Sequence, residues 1–482
     1  MEKTSITKLE RVAIIFILLF GAIMRLYKID QYMTFLGDEG RDAIVMKDMV
    51  TLKHFPAIGP GTSIGNMYLG PLYYYLVAPS LLVFNLSPVG PAIFVSVIGL
   101  MTVGLIWWVG RQWFGRFPAL AVATLYAVSP TVIIYSRSSW NPNVMPFFAL
   151  PAMYGIWKVW RFGYWHWLLI SAVSFAFVLN SHYLGLLLAP SICLFLFLSP
   201  NKLSNKKYLI LGFVIWALLM SPLLFFDLRH NGQNFAAIKT FFTDRQTTVN
   251  FKAYKAIPNL WPIWQDMVTS LLAAKNLLIG QWTAVILALS TVFYLIRSKN
   301  RDFWFIASWL GFGLLGLGLY KQHIYDHYYG FLFPAVFLLV GYFLRGFKLN
   351  FILILPLIFI NLQSNSFRYP PNNQLAHTRQ IAEFIKSESA DQPFNLALLA
   401  KTNYDAAYRY FLQLNEAPYF TIHQKITGQL FVICEIPDCQ PIGNSLWEIA
   451  SFGWAKIDGV WDFPWGVKLY RLVPNPSGKN ET

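Results

Sequence analysis

Leu72-Tyr-Tyr-Tyr-Leu-Val-Ala-Pro79-Ser-Leu-Leu-Val-Phe-Asn-Leu86 is apolar, and whether it crosses a bilayer sets the sidedness of everything after it. A crossing helix needs about 20 apolar residues. This run is shorter and carries a proline. Eleven longer apolar runs are candidate spans: 11–29, 89–110, 118–135, 144–160, 165–182, 183–199, 208–226, 278–296, 303–320, 328–344 and 347–363. Suppose 72–86 does not cross and the N-terminus lies inside. The inner segments then hold Lys3, Lys8 and Arg11; Arg111 and Arg116; Lys158 and Arg161; Lys202, Lys206 and Lys207; Arg297, Lys299 and Arg301; and Arg345 and Lys348. The short outer loops hold only Arg137 and Lys321. If 72–86 did cross, every basic segment after the first would fall outside, against the rule that cationic loops stay in the cytoplasm. The run therefore reads as a re-entrant or interfacial helix on the outer side, with Tyr73-Tyr74-Tyr75 suited to the headgroup layer.

Composition agrees with a membrane protein. Of 482 residues, 56% are hydrophobic, 17% aromatic and 13% charged, against roughly 25% charged in a soluble domain. The net charge of +15 is loop charge that orients spans and meets anionic headgroups. It does not point to nucleic acid, since no basic tract of five or more occurs. The N-terminal segment from Met1 to Arg11 lacks a small-residue cleavage site, so the first span reads as retained. The expected fold is an all-α polytopic membrane domain over 1–363, with outer loops 30–88 and 227–277 and outer juxtamembrane helices. A small α/β soluble domain follows over 364–482. In that tail, periodicity at Ile381, Phe384 and Ile385 predicts a helix, and Asp405 to Leu414 predicts a second. Phe394–Ala400, Leu430–Ile433 and Val467–Val473 read as strands. Cys193 lies in an apolar run and is expected to pack. Cys434 and Cys439 can pair if the tail faces an oxidising compartment; a zinc site lacks the second Cys or His pair it would need. No internal repeat and no Gly-rich phosphate loop occurs.

Chemistry is sought in the outer loops. Phe35-Leu-Gly-Asp38-Glu39-Gly-Arg41-Asp42 follows the first span, on a chain where carboxylates are scarce. A carboxylate can act as a general base at neutral pH. The competing reading is an acid-rich helix start, favoured by the helix dipole and paired with Arg41. Arg137, at a span end, carries a five-donor fork that suits phosphate or merely snorkels. Asn141 and Asn143 could bind sugar hydroxyls or cap the next helix. His182, Arg229, His230 and His327 close other spans at the same face. One acid and two arginines suit a lipid-linked phosphate, with Arg137, Arg229 and Arg41 as the cations. Asn141, Asn143, His182 and Tyr74 are the substrate-contact candidates. Glu39, His230 and His327 are candidates for a divalent metal, although no dense ligand motif is present.

These residues resemble the GT-C superfamily of membrane glycosyltransferases, in the style of the protein O-mannosyltransferase and lipid A aminoarabinose transferase branch. The resemblance is carried by Asp38-Glu39-Gly-Arg-Asp-Ala43, Gly70-Pro-Leu-Tyr-Tyr-Tyr75, Gly110-Arg-Gln-Trp-Phe-Gly115, Ser129-Pro130 with Tyr135-Ser-Arg137, and His327-Tyr-Tyr-Gly-Phe-Leu-Phe-Pro334. It covers roughly residues 10 to 345. It implies an outward-facing site, a polyprenyl-phosphate sugar donor, inversion at the anomeric carbon and Asp38 as base with Glu39 beside it. The acceptor, whether lipid, glycan or protein, is left open. Relatives often carry an acid after the Arg of the third span, where this chain has Asn141 and Asn143. Some carry Glu-Lys where this chain has Leu69-Gly70. Both differences count against a metal site like theirs. The expected localisation is the cell membrane, multi-pass, with a cytoplasmic N-terminus and with the active site and tail outside. Two other function classes compete. A lipid-sugar transporter or flippase would bury ionisable residues mid-membrane and show repeats. A polysaccharide ligase using a diphosphate-linked donor differs only in the donor it accepts.

Overall fold

The computed structural model describes residues 6–62, 67–201, 203–243, 248–250, 252–345, 352 and 354–481. Lys3, Lys202 and Lys348, residues 63–66 of the outer loop, and residues 347–351 and 353 of the last candidate span lie outside the described residues. The chain divides into two compact units, Met1–Ile29 with Met49–Pro370, and Asp30–Asp48 with Pro371–Thr482.

The first unit is helical. Among the described residues, five helices are long and apolar enough to cross a membrane: Val89–Phe114, Lys206–Arg229, Leu277–Arg297, Arg301–Leu319 and Asp326–Leu344. The protein is a multi-pass membrane protein. Other expected spans are shorter or broken. The 118–135 run stops at Val128 and restarts as Pro130–Tyr135. The cause is local: a residue before proline avoids the helical region, and Ser129 is extended there (φ −62°, ψ 118°). Its hydroxyl donates to the Leu271 carbonyl at 2.7 Å. The 183–199 run opens as a 3₁₀ turn, Tyr183–Leu188, before Ala189–Phe197. Leu72–Val83 has 12 residues, or about 18 Å at 1.5 Å per residue, well short of a roughly 30 Å hydrocarbon core. Asn180 Oδ1 accepts the Leu72 N–H at 3.2 Å and fixes the start of that helix. At the start of the first helix, buried Glu10 pairs with Arg111 at 2.5 Å. Cys193, expected to pack, is instead exposed on its apolar helix.

The second unit holds a four-stranded sheet: β1 (Asn395–Leu399), β2 (Leu430–Cys434), β3 (Ala455–Asp462) and β4 (Lys468–Pro474), in the order β1-β2-β4-β3. β1 and β2 are parallel, and the other pairings are antiparallel. Every residue of β1 and β2 is buried, as expected of parallel strands covered on both faces. The helices are Gln374–Glu388, Ala406–Leu414 and the short Trp447–Phe452. The Cys434–Cys439 disulfide is formed.

The sequence placed the division at 363/364, with the first outer loop in the membrane part. The structure groups Asp30–Asp48 with the tail. Side chains explain this. Phe35 packs its ring against Tyr410 and Phe411, 6.1 and 5.6 Å between centroids. Lys47 Nζ donates to Gln413 Oε1 at 2.7 Å. Gly40 lies so close to the Ala406–Leu414 helix that a Cβ there would collide with Ala407 backbone atoms.

Candidate active site

In the second unit, the acidic pair opens the helix Gly37–Val50. The adjacent carboxylates have different surroundings. Glu39 turns inward and is 6% exposed; its Oε2 accepts the Leu36 N–H at 3.0 Å. That is the reciprocal half of a capping box, a third-position glutamate reaching back to the residue before the helix. Burial first, then the Asp38 and Asp42 charges, push the Glu39 carboxyl up to about 7. Asp38 turns outward, with 39% of its side chain exposed. Its Oδ1 accepts from Arg41 Nη1 at 2.7 Å and from the Tyr404 hydroxyl at 2.8 Å. Its Oδ2 has no partner among the described residues. A carboxylate with one oxygen held and the other open, at a helix N-terminus that favours the anion, is suited to receive a proton.

Arg41 is committed within this cluster. Its Nε and Nη2 both donate to Asp42 Oδ1, at 2.9 and 2.8 Å, while Nη1 serves Asp38 and Tyr404. Two carboxylates offset its charge, which leaves little for a donor phosphate.

The inward setting of Glu39 has a measurable consequence. Its carboxyl is raised in the folded chain, so the stability tied to its neutral form is complete below the ordinary glutamate range and is lost as pH rises to about 7. Glu39→Gln keeps an acceptor for the Leu36 N–H and cannot ionise. We expect the variant to match the parent near pH 4 and to gain on it through pH 5–7, by on the order of 3 kcal/mol above pH 7. Thermal unfolding across that range checks this, and an advantage that shrinks as pH rises contradicts it.

In the first unit, three of the segments expected at one outer face do converge. His327 packs its ring on Trp140 at 4.4 Å and lies 6.2 Å from His182. His182 lies against Tyr328 at 4.6 Å, and its Nδ1 accepts the Leu184 N–H at 3.1 Å. Arg137 is 2% exposed; its Nη2 donates to the Tyr27 carbonyl at 2.9 Å, and its guanidinium lies 4.8 Å from the Phe367 ring centre. Asn141 and Asn143 are buried and donate to the Ser181 and Ser138 carbonyls at 2.7 and 2.9 Å. Both amides thus serve backbone carbonyls, Asn143 in its own loop and Asn141 at the end of the helix Trp167–Ser181. Tyr74 is 2% exposed and packs on Tyr73. Arg229 is exposed at the end of its long helix, 4.5 Å from the Phe225 ring centre, with no anionic partner among the described residues. His230 is exposed, stacks on Phe226 and has its Nδ1 2.8 Å from the Phe226 carbonyl. Among the described residues no group of three or more His, Cys, Asp or Glu lies placed to hold a metal ion. Glu39 caps a helix, and the rings of His230 and His327 are stacked on aromatics.

Sequence reasoning missed two groups. One is Tyr404 with its neighbour Asn403. The other is an acidic pair in the first unit, where the Tyr329 hydroxyl lies 3.1 Å from Asp266 and 2.8 Å from Asp326. Asp326 also pairs with Lys275 at 2.7 Å. Burial, then Asp326, raises the Asp266 carboxyl. Asp266 is the single acid of the helix Ile257–Leu272, and that isolation was its only mark in the sequence.

A family model described as dolichyl-phosphate-mannose-protein mannosyltransferase matches residues 69–226, less than half of the chain. No curated protein sequence matches significantly. Among solved structures, the chain is similar to ArnT from Cupriavidus metallidurans bound to undecaprenyl phosphate, with 11% identity, a TM-score of 0.62, and 95% of this chain and 97% of that chain covered. It is also similar to the Archaeoglobus fulgidus oligosaccharyltransferase in complex with Zn and sulfate, with 11% identity, a TM-score of 0.56, and 97% and 73% covered. A third match is the archaeal oligosaccharyltransferase AglB from the same organism, in complex with an inhibitory peptide and a dolichol-phosphate, with 12% identity, a TM-score of 0.54, and 84% and 63% covered. These likenesses show that the chain has the GT-C fold that the sequence resemblance implies.

Proposed function

We propose that this GT-C chain is an integral-membrane glycosyltransferase that moves a sugar from a polyprenyl-phosphate donor to an acceptor on the outer face of the membrane, with inversion. One observation carries this reading: Asp38, at a helix N-terminus, presents one carboxylate oxygen that is unengaged among the described residues, while its neighbour Glu39 is turned in to cap that helix. In the reaction, the acceptor O–H or N–H loses its proton to Asp38 Oδ2 as the new bond to the anomeric carbon forms. The bond from that carbon to the phosphate oxygen breaks, and polyprenyl phosphate leaves as the anion. Cations at the leaving phosphate stabilise the developing charge. Arg229, exposed and with no anionic partner among the described residues, is the first candidate for this role, and Arg137 is the second. The lipid tail would lie along the apolar Leu72–Val83 helix. The fold likeness to proteins whose structures hold undecaprenyl phosphate or dolichol-phosphate supports this donor class.

The test is release of free polyprenyl phosphate when purified protein meets a panel of polyprenyl-phosphate monosaccharides together with membrane extract as acceptor source. Release with one or a few sugars is expected. No release from any of them, with turnover of a diphosphate-linked glycan instead, overturns the donor assignment.

Outer-face placement rests on the charge of the loops and on the Cys434–Cys439 disulfide, since such bonds persist in oxidising compartments. Lys401 is exposed. In a Cys193→Ser background, Lys401→Cys should react with a membrane-impermeant maleimide in intact cells. Reaction only after permeabilisation contradicts the outer placement of the second unit.

A further inference from the structure

Asp38 and Tyr404 stand 366 residues apart in sequence and meet through one hydrogen bond in the second unit. We propose that Tyr404 is a positioning residue for the Asp38 carboxylate, holding Oδ1 so that Oδ2 alone faces the acceptor. The inference rests on Asp38 being the base and adds a group from the C-terminal domain to that base.

The geometry supports this from several sides. Oδ1 receives two donors, Arg41 Nη1 at 2.7 Å and the Tyr404 hydroxyl at 2.8 Å, from opposite ends of the chain. Arg41 alone cannot set the carboxylate, because Asp42 holds its other two donor groups. The tyrosine phenol is itself a fixed donor. Burial, and the adjacent carboxylates, hold its proton well above the ordinary phenol range.

Tyr404 is in turn held in register. Asn403 Oδ1 accepts both the Gly37 N–H and the Tyr404 N–H, each at 2.9 Å. One amide oxygen thus ties the first residue of the acid-bearing helix to the backbone of the tyrosine. The orientation of that amide is not free. Its Nδ2 donates to both oxygens of Glu435, 3.0 Å each, and a carboxylate can only accept. Glu435 also accepts from the Tyr408 hydroxyl at 2.6 Å. Glu435 sits inside the ring closed by the Cys434–Cys439 disulfide and continues from buried β2. The path from disulfide to base is Cys434, Glu435, Asn403, Tyr404 and Asp38, all within one unit. Gly37 completes it, because a side chain there would collide with the Tyr404 ring.

The experiment is a double-mutant cycle with pH–rate profiles, using purified full-length protein and the polyprenyl-phosphate sugar that supports turnover. Tyr404→Phe keeps the ring and removes the donor. The groups facing Asp38 are then Glu39, Arg41 and Asp42 on its own helix. Losing a hydrogen bond to an ionised carboxylate favours its protonated form. The acid limb of the Tyr404→Phe kcat/KM profile should therefore move to higher pH by about one unit. At optimal pH kcat should fall about tenfold with KM little changed. In an Asp38→Asn background, Tyr404→Phe should cost nothing further, because a group that acts through Asp38 has nothing left to act on. An unmoved acid limb overturns the proposal. So does a tenfold loss that persists in the Asp38→Asn background, which would mark a purely structural tyrosine. If Asp38→Asn itself retains wild-type turnover, the base assignment is what has failed. Glu435→Gln gives a second arm: it should move the acid limb in the same direction as Tyr404→Phe, and a profile identical to wild type removes Glu435 and Asn403 from the path.

Discussion

Asp38→Asn should lower kcat by about 10²–10⁴-fold, the usual span for a lost general base, while the protein keeps its fold and its KM. The fold should survive because the substitution is isosteric. The amide oxygen can still accept from Tyr404, and Arg41 keeps its paired bonds to Asp42. What is lost is the carboxylate oxygen of Asp38 that has no partner among the described residues. Glu39→Gln provides the control. Glu39 is buried and bonded back to Leu36, so its amide should leave kcat near wild type at the pH where Asp38→Asn is slowed by those factors. The reverse pattern, an inactive Glu39→Gln and an active Asp38→Asn, would transfer the role to the buried acid. Turnover measured as polyprenyl phosphate released per enzyme separates the two, provided both variants elute as the parent does in detergent.

Much of the membrane part could be read from composition because apolar runs have few alternatives. The helices Val89–Phe114, Lys206–Arg229, Leu277–Arg297 and Arg301–Leu319 each lie on an expected span, since a bilayer forces the backbone to satisfy its own hydrogen bonds. The Leu72–Val83 helix falls on the short run that its length and Pro79 set apart from the expected spans. The breaks inside spans were less visible. Ser129 and Pro130 were in plain view, but a hydropathy window averages over a single proline. β3 escaped because its burial alternates and its sequence, Ala-Lys-Ile-Asp-Gly-Val-Trp-Asp, carries Asp and Gly where a strand prefers branched residues. The acidic pair was legible by its scarcity; its division of labour was not. Which carboxylate turns inward depends on the capping geometry of Glu39, and what holds the outward one depends on a tyrosine far along the chain. Contacts of that separation leave no trace in local pattern. Asn141 and Asn143 show how little residue type alone decides. Amides in an outer loop suggest sugar hydroxyls, yet both are buried on carbonyls of their own loop and its neighbour.

Gly40→Ala should be among the most disruptive single-methyl changes this chain can suffer, although it sits in a helix where alanine is normally worth about 1 kcal/mol more than glycine. The added Cβ would collide with the N and Cα of Ala407. Those are backbone atoms of the buried Ala406–Leu414 helix, so no rotamer change can relieve the overlap; one helix must move off the other. Overpacking of this kind costs about 1–3 kcal/mol even where side chains can yield, and here they cannot. The movement would carry Asp38 away from Tyr404 and break the Gly37 bond to Asn403, so activity should fall with stability. Two controls isolate the cause. Gly311, mid-helix in the first unit with nothing within 4 Å of its would-be Cβ, should accept alanine at no cost or with a small gain. Ala407→Gly should fail to rescue Gly40→Ala, because the atoms in conflict belong to the backbone that glycine retains. Thermal unfolding and turnover on the four proteins decide the matter. Rescue by Ala407→Gly, or a Gly40→Ala variant as stable and active as the parent, would mean that the acid-bearing helix does not rest on the C-terminal domain through this close approach.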